Sequence, residues 1–373
     1  MKLIIVTTVP ETLATILRGQ PAWLEKHVSV TCISSPGPML DMVVRNESVA
    51  VFQVSMNRGI SPFKDVVSIF RMWRVLRKLK PDVVHSYTPK AGLIAMVAGF
   101  LAGVRVRVHT FTGLVFPTSS GLKRSVLIAI DRLICVVATH VVPEGRGVAE
   151  DLRNNRITSK ALDVIGNGNI AGVDVKYFHP NIIDPLELPY KDTFIFGFVG
   201  RLNRDKGLQE LVSAFLSLEG DPALLLVGDL DSTAPVDSGT LSQIESHPRI
   251  HATGFLEDIR PGLVACDVLV LASYREGFPN VVLQAGAMGK PVIASDINGC
   301  NEVIENGFNG WLVPPGNSKV LAERLLCAMN VPSSEIERLG RNARERIVER
   351  YEQGEYRQKL LEFYREITNE AKL

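Results

Sequence analysis

Cysteine is scarce in this chain of 373 residues. Its five positions, 32, 135, 266, 300 and 327, are odd in number and never closely spaced. They offer no disulfide framework, and with no histidine cluster beside them they offer no zinc or haem site. A reducing compartment is the simplest setting for such thiols. Long apolar runs are missing too. The longest, Ala91 to Val104, has 14 residues and is broken by glycines, below the roughly 18 that cross a bilayer. A buried helix is expected there. The opening Met1-Lys2-Leu3-Ile4-Ile5-Val6-Thr7-Thr8 is too short for a secretory core and lacks a small-residue cleavage site; it reads as a first strand. That strand runs into Val9-Pro10 with no Gly-x-Gly-x-x-Gly, which argues against an NAD-dependent oxidoreductase.

Net charge, +1, is low only by cancellation. Through residue 170, lysine and arginine number 21 against 11 acids, while the remainder has 20 against 29, so the first half is basic and the second acidic. Much of the basic excess lies at Arg71, Arg74, Arg77, Lys78 and Lys80, interleaved with Val67, Phe70, Trp73 and Leu76 in the pattern of an amphipathic helix. Two explanations stay open: a core-packed helix with a solvated basic side, or a surface drawn to anionic lipid headgroups. No aromatic-and-basic sheet motif accompanies the charge, so nucleic acid is not an expected partner.

What the chain does contain is a regular alternation of strand and helix patterns. Strands are expected near 2–7, 28–33, 49–54, 82–86, 104–109, 139–142 and 162–165, and again from Phe194 through 223–227, 250–253, 267–271, 291–294 and 310–313. Charged, periodic helices fill about 318–368. This alternation implies parallel, doubly wound α/β sheets, and the length implies two domains. Asp174 to Asp192, with Pro180, Pro185 and Pro189, has linker composition.

Two loops carry the chemistry. The buried-strand run Asp267 to Leu271 leads into a loop holding Glu276, Gly277, Phe278 and Pro279. Asn280 is placed to cap the following helix, whose apolar side is Val281, Val282, Ala285 and Met288 and which Gly289 stops. The first-turn amides and dipole of that helix suit an anion such as a diphosphate. The second run, Phe194 to Gly200, is followed by Arg201-Leu202-Asn203-Arg204-Asp205-Lys206-Gly207 and then by a helix with Leu208, Leu211, Val212 and Phe215 on one face. Cations therefore gather at the carboxyl end of a strand, where open α/β sheets bind ligands.

The Gly-Arg-Leu-x-x-x-Lys-Gly stretch at 200–207 and the Glu-Gly-Phe-Pro-Asn loop at 276–280 resemble the donor-binding motifs of the retaining glycosyltransferases of family 4, which have the GT-B fold. Asp82-Val83-Val84-His85, Gly172-Val173-Asp174 with Tyr177-Phe178-His179-Pro180, and Asp296-Ile297-Asn298-Gly299 before Glu302 extend the likeness over nearly the whole chain. It is greatest to the bacterial transferases of capsule, exopolysaccharide and O-antigen assembly. The resemblance implies two Rossmann-like domains facing across a cleft: 1–180 for the acceptor, 181–350 for the nucleotide sugar, and 351–373 as a helix crossing back to the first. It implies a cytoplasmic enzyme, peripheral on the inner membrane, that moves a sugar with retention from a nucleoside-diphosphate sugar to a lipid-linked saccharide. A nucleotide-sugar epimerase of the same architecture and a catalytically weak sugar-nucleotide-binding relative are the alternatives.

The roles carried over are specific. Glu276 orients the donor sugar through its hydroxyls; Arg201 and Lys206 hold the departing diphosphate; Gly277, Phe278, Pro279 and Asn280 line it. With fixed cations and helix amides supplying that charge, no metal and no cofactor are expected. Gly254 and Phe255 are candidates for the nucleotide base, Phe255 being equally suited to the core. Gln284 stands where the family usually has a second glutamate, which binds the ribose hydroxyls. Its amide oxygen accepts the same bonds without the charge, a loss on the order of 1 kcal/mol. On the acceptor side, Thr7 and Thr8 replace the family's glycine-rich loop. In Val108-His109-Thr110-Phe111-Thr112-Gly113, Thr112 replaces the family's histidine before Gly113, so His109 or Thr112 faces the sugar, or His109 is simply structural. Lys90 meets an acceptor phosphate or is solvated, and Asn167, with Gly168, borders the cleft.

Overall fold

The computed structural model describes residues 1–371 except 58, 60, 191 and 233. It divides into two compact units, one of residues 1–172 with 354–373, the other of residues 173–353. The last two positions of the expected crossing helix, 372 and 373, lie outside the described residues.

The first unit is built on a six-stranded sheet: β1 (Lys2–Val6), β2 (Ser29–Ser34), β3 (Ala50–Gln53), β4 (Val83–Tyr87), β5 (Val106–Phe111) and β6 (His140–Pro143), in the order β3-β2-β1-β4-β5-β6. Every pairing is parallel, for example Ile5 with Cys32 on one side and His85 on the other. Parallel strands must be joined by crossovers, and these cover both faces. One face packs Ile4, Val6, Met72, Leu76, Ile94 and Ala95. The other packs Leu3, Ile5 and Tyr87 against Leu360, Leu361 and Tyr364 of the helix Gln353–Glu370. That helix is tied to the sheet where Tyr364 Oη meets His85 Nδ1 at 2.6 Å.

The second unit repeats the plan with β7 (Ile195–Val199), β8 (Ala223–Val227), β9 (Ile250–Gly254), β10 (Val268–Leu271), β11 (Val292–Ser295) and β12 (Gly310–Val313), ordered β12-β11-β10-β7-β8-β9 and parallel throughout. Leu224 through Leu226 and Val268 through Leu271 are buried on both faces, the signature of a doubly covered parallel sheet.

Three expectations are corrected. No strand forms over 162–165: Leu162 makes a single parallel bridge to Val141, and Gly166, Gly168 and Asn169, all at positive φ, turn the chain away. Asn280 is the first residue of its helix, Asn280–Ala287, and Pro279 holds the capping position. In the helix Pro62–Leu79 the period is helical but the buried face is Asp65, Ser68, Met72 and Leu76, leaving Val67 and Phe70 exposed. The inward polar residues explain this phase. Asp65 is bonded by Lys90 Nζ at 2.8 and 2.9 Å, and Ser68 Oγ donates to the Ser55 carbonyl at 2.6 Å. Burying both costs little because both are satisfied.

Candidate active site

In a doubly wound sheet the ligand crevice forms where strand order reverses, outside the carboxyl ends. In the second unit that point lies between β7 and β10, which pair at Val268–Phe196 and Leu269–Gly197. The loops leaving these two strands are the two read from the sequence as chemical. They meet: Lys206 Nζ lies 2.6 Å from Glu276 Oε1, with both side chains mostly but not wholly shielded.

Local chemistry holds each partner. Lys206 sits on a short 3₁₀ turn, Arg204–Lys206, whose last amide donates to Asn203 Oδ1 at 3.0 Å. Gly207 follows at φ +68°, where a β-carbon would overlap the Ala272 carbonyl; only glycine lets the β7 loop pass this close to the β10 loop. Tyr274 N–H donates across the same junction to the Asp205 carbonyl at 3.0 Å, and Arg275 pairs with Asp205 at 3.0 Å. Glu276 accepts a second bond, 2.7 Å, from the hydroxyl of Ser273, which is fully buried. Behind them Cys300 is buried, and burial, followed by the charge of Glu276, pushes its thiol well above the ordinary range, so it stays protonated.

Neighbouring strand ends complete the rim. Arg201 is exposed and pairs with Asp231, which also accepts from Asn203 Nδ2 at 3.1 Å. Asp229 and Asp231 do have the Asp-x-Asp spacing of a metal-ligand pair, so the expectation of no metal draws no support from a lack of that motif. Asp231 is engaged by these cationic and amide groups, and Asp229 Oδ1 accepts the Phe255 N–H at 3.0 Å. Among the described residues no group of three or more metal-ligating side chains converges. Gly254 ends β9 at φ +70°, its carbonyl accepting from Gly228. Phe255 is exposed, which removes it from the core.

In the 276–280 loop, Gly277 and Pro279 are buried, and the Gly277 carbonyl abuts Gly299 so closely that no β-carbon fits at the latter. Phe278 is a core side chain packed 5.6 Å from the Tyr351 ring, so its side chain shapes the loop from behind. Gln284 is half-buried one turn into the helix.

The first unit's switch point lies between β1 and β4. Thr7 is buried, with its hydroxyl on the Val9 carbonyl at 3.0 Å. Thr8 Oγ1 meets Thr88 Oγ1 at 2.7 Å and accepts the Ala91 N–H at 3.1 Å. Lys90 is neither solvated nor free: it is spent on Asp65. His109 is completely buried, shares a 2.8 Å bond between Nδ1 and Ser86 Oγ, and lies so close to Gly92 that a β-carbon there would overlap the ring. Burial pulls its pKa down to about 3, leaving a neutral core imidazole, the placement of a structural residue. Thr112 and Gly113, the latter at φ +95°, are half-buried on the loop after β5, and Asn167 is half-buried between two left-handed glycines.

Comparisons with known proteins follow the same division. Residues 13–168 match a family model described as glycosyl transferase 4-like domain, and residues 193–330 one described as glycosyl transferases group 1. The chain is 31% identical over 349 residues to the capsular polysaccharide biosynthesis glycosyltransferase CapM of Staphylococcus aureus, covering 90% of each protein. It belongs to this glycosyltransferase family. The enzyme is also 30% identical to an Escherichia coli UDP-Gal:alpha-D-GlcNAc-diphosphoundecaprenol alpha-1,3-galactosyltransferase over 77% of this chain and 76% of that one. Among solved structures, this glycosyltransferase shares its fold with Anabaena HepE in complex with UDP (TM-score 0.78, 18% identity, 98% of this chain and 100% of that one). It shares it also with sucrose-phosphate synthase of Thermosynechococcus elongatus (TM-score 0.80, 19% identity, 98% and 99%). The fold is GT-B.

Proposed function

We propose that this glycosyltransferase moves a sugar, with retention, from a nucleoside-diphosphate donor to a lipid-linked saccharide in surface-polysaccharide assembly, working at the cytoplasmic face of the inner membrane. The observation that carries this is the meeting of Lys206 and Glu276 at the β7/β10 switch point. Until a donor arrives, each group fills the place that the donor's diphosphate or hydroxyls take at the other. A diphosphate then competes for the Lys206 ammonium, and the freed Glu276 carboxylate accepts from sugar hydroxyls. Arg201 on the outer rim and the amides at the start of the helix Asn280–Ala287 add positive potential where charge develops on the leaving phosphate. These fixed donors supply the electrostatic work without a metal, and Ser273 keeps the Glu276 carboxylate turned to one side.

The relatives support the acceptor class: the E. coli protein is named for UDP-galactose and a diphosphoundecaprenol-linked acceptor, and the S. aureus one for capsule biosynthesis. Thermal protection by a panel of UDP-, GDP- and dTDP-sugars identifies the donor, since ligand at 100 times its dissociation constant adds about 2.7 kcal/mol. Nucleoside diphosphate release is then expected to require a lipid-linked acceptor and to survive chelation. Conversion of the donor to another sugar nucleotide with no acceptor present would instead identify an epimerase.

A further inference from the structure

The helix Pro62–Leu79 carries its apolar and cationic residues on one outward stripe, divided along its length. Phe63, Val66, Val67 and Phe70 form the first half, and Arg74, Arg77 and Lys78 continue at the same helical spacing. The apolar half is open: Phe63 is 91% exposed, Val66 65% and Phe70 55%. The cations, with Lys64 and Arg71 beside them, are exposed and make no ion pair among the described residues. Nothing in the core requires this arrangement, because Asp65, Ser68, Met72 and Leu76 already fill the inward face.

A second helix repeats the feature. Gly121–Val137 starts with Leu122, 81% exposed, next to the exposed Lys123. Both helices lie on the same side of the first sheet, each packed against the helix Pro89–Ala102 between them. Each begins a return crossover between parallel strands, so its first turn lies at the carboxyl edge of that sheet, the edge at which doubly wound folds take their ligands.

We propose that this tip of the first unit docks into an anionic lipid bilayer, with Phe63, Val66, Val67, Phe70 and Leu122 entering the acyl boundary and Arg71, Arg74, Arg77 and Lys78 resting among the headgroups. At about 1.5 Å per residue, Phe63 to Phe70 spans roughly 10 Å, the depth to which interfacial helices bury their apolar side chains. On this stripe the cations begin where that depth ends, Lys64 lying beside it. The helix therefore enters end-on rather than lying flat, and presents the carboxyl edge of the sheet to the membrane. Charge complementarity selects the occupant: unpaired cations bordering exposed aromatics suit phosphate headgroups over acyl chains. The inference deepens the proposed function by naming the surface that meets the lipid carrying the acceptor.

The test is flotation of the full chain with phosphatidylglycerol-rich or pure phosphatidylcholine vesicles, with no donor or acceptor present, so that its outcome is independent of sugar transfer. Wild type is expected to float with the anionic vesicles, less in high salt, and weakly with the neutral ones. Phe63→Ser/Phe70→Ser should lose roughly 100-fold in binding at any salt. Arg74→Glu/Arg77→Glu/Lys78→Glu should lose more than that factor on anionic vesicles, and on those only. All substituted side chains are exposed, so the thermal midpoint and its shift with UDP should match wild type. Wild type that fails to float, or a Phe63→Ser/Phe70→Ser variant that floats like wild type, would overturn the proposal. So would sedimentation showing a dimer that this variant dissolves while wild type ignores vesicles, which would assign the face to a second copy of the chain.

Discussion

Each unit reverses its strand order once, and the two reversals are closed in opposite ways. Between β1 and β4 the loops are joined by two neutral hydroxyls, Thr8 and Thr88, with Thr8 also capping the helix Pro89–Ala102 through Ala91 N–H. Between β7 and β10 they are joined by an ion pair, Lys206 with Glu276. One topology thus offers the same crevice twice, and side-chain chemistry decides its use. Thr8 is buried and Thr88 half-buried, and Thr88 is held at φ 76° and ψ 144°, a conformation rarely open to a threonine; such strain persists only where neighbours enforce it. The charge pair retains some solvent access, and an incoming anion can take the place of Glu276 at Lys206. On the proposed function, the first closure serves stability and the second is available to the donor.

The largest break in this contrast comes from Lys206→Ala. If Lys206 holds the departing diphosphate as proposed, its removal should lower kcat/KM by roughly 100- to 1,000-fold, with only a moderate fall in the urea midpoint because Glu276 keeps its Ser273 bond and some solvent access. A matching loss of stability without loss of turnover would make the ion pair structural, like its hydroxyl counterpart.

The units should differ next in their response to acid. His109 is buried and neutral with its pKa lowered to about 3, against an unfolded value near 6.5. The unfolded chain therefore binds the proton first. The stabilisation is complete above about pH 6.5 and is lost as pH falls from there toward about 3, on the order of 2–3 kcal/mol by about pH 4.5. Asp131, raised to about 7 by burial, acts in the opposite direction, and His85, also lowered by burial, in the same one. His109→Asn leaves both in place, so the stability difference between variant and wild type should shrink by that 2–3 kcal/mol between pH 7 and about 4.5. A constant difference would show that His109 is not held neutral.

Thr8→Val tests the hydroxyl closure. It removes the partner of Thr88 and the acceptor for Ala91 N–H, and should cost about 1–2 kcal/mol in urea unfolding while donor protection of the second unit is unchanged. Loss of transfer without loss of stability would give Thr8 a role at the acceptor.

How far the sequence disclosed this depends on the range of the interaction. Lys206 and Glu276 were each legible, because each follows a buried-strand run and adjoins a glycine. Their contact was not, since it needs β7 beside β10, and strand order is a property of the whole sheet. Ser273 left a local signal that could have been used, three residues before Glu276 on the same loop. Asp231 was legible as half of an Asp-x-Asp but not as the partner of Arg201, again across two strands. For the helix Pro62–Leu79 the period was readable and the phase was not: Asp65 turns inward because Lys90, on another helix, waits there. The run at 162–165 was apolar enough for a strand, and the left-handed residues after it decided otherwise.

The smallest expected effect concerns the one position where this chain departs from the family's pair of glutamates. Gln284 lies eight residues beyond Glu276, half-buried on the helix that starts at the switch point. If the second unit's crevice is the charged, exchangeable one, a carboxylate at 284 should strengthen hydrogen bonds to the donor by on the order of 1 kcal/mol, lowering its KM several-fold. It would also set a second negative charge near Glu276, weakening the hold of the site on the diphosphate by Coulomb repulsion that salt screens. Gln284→Glu is therefore expected to lower the donor KM clearly at high salt and less at low salt. A KM that rises at every salt concentration would mean that repulsion dominates and that the neutral amide is what lets Lys206 and Arg201 retain the phosphate here.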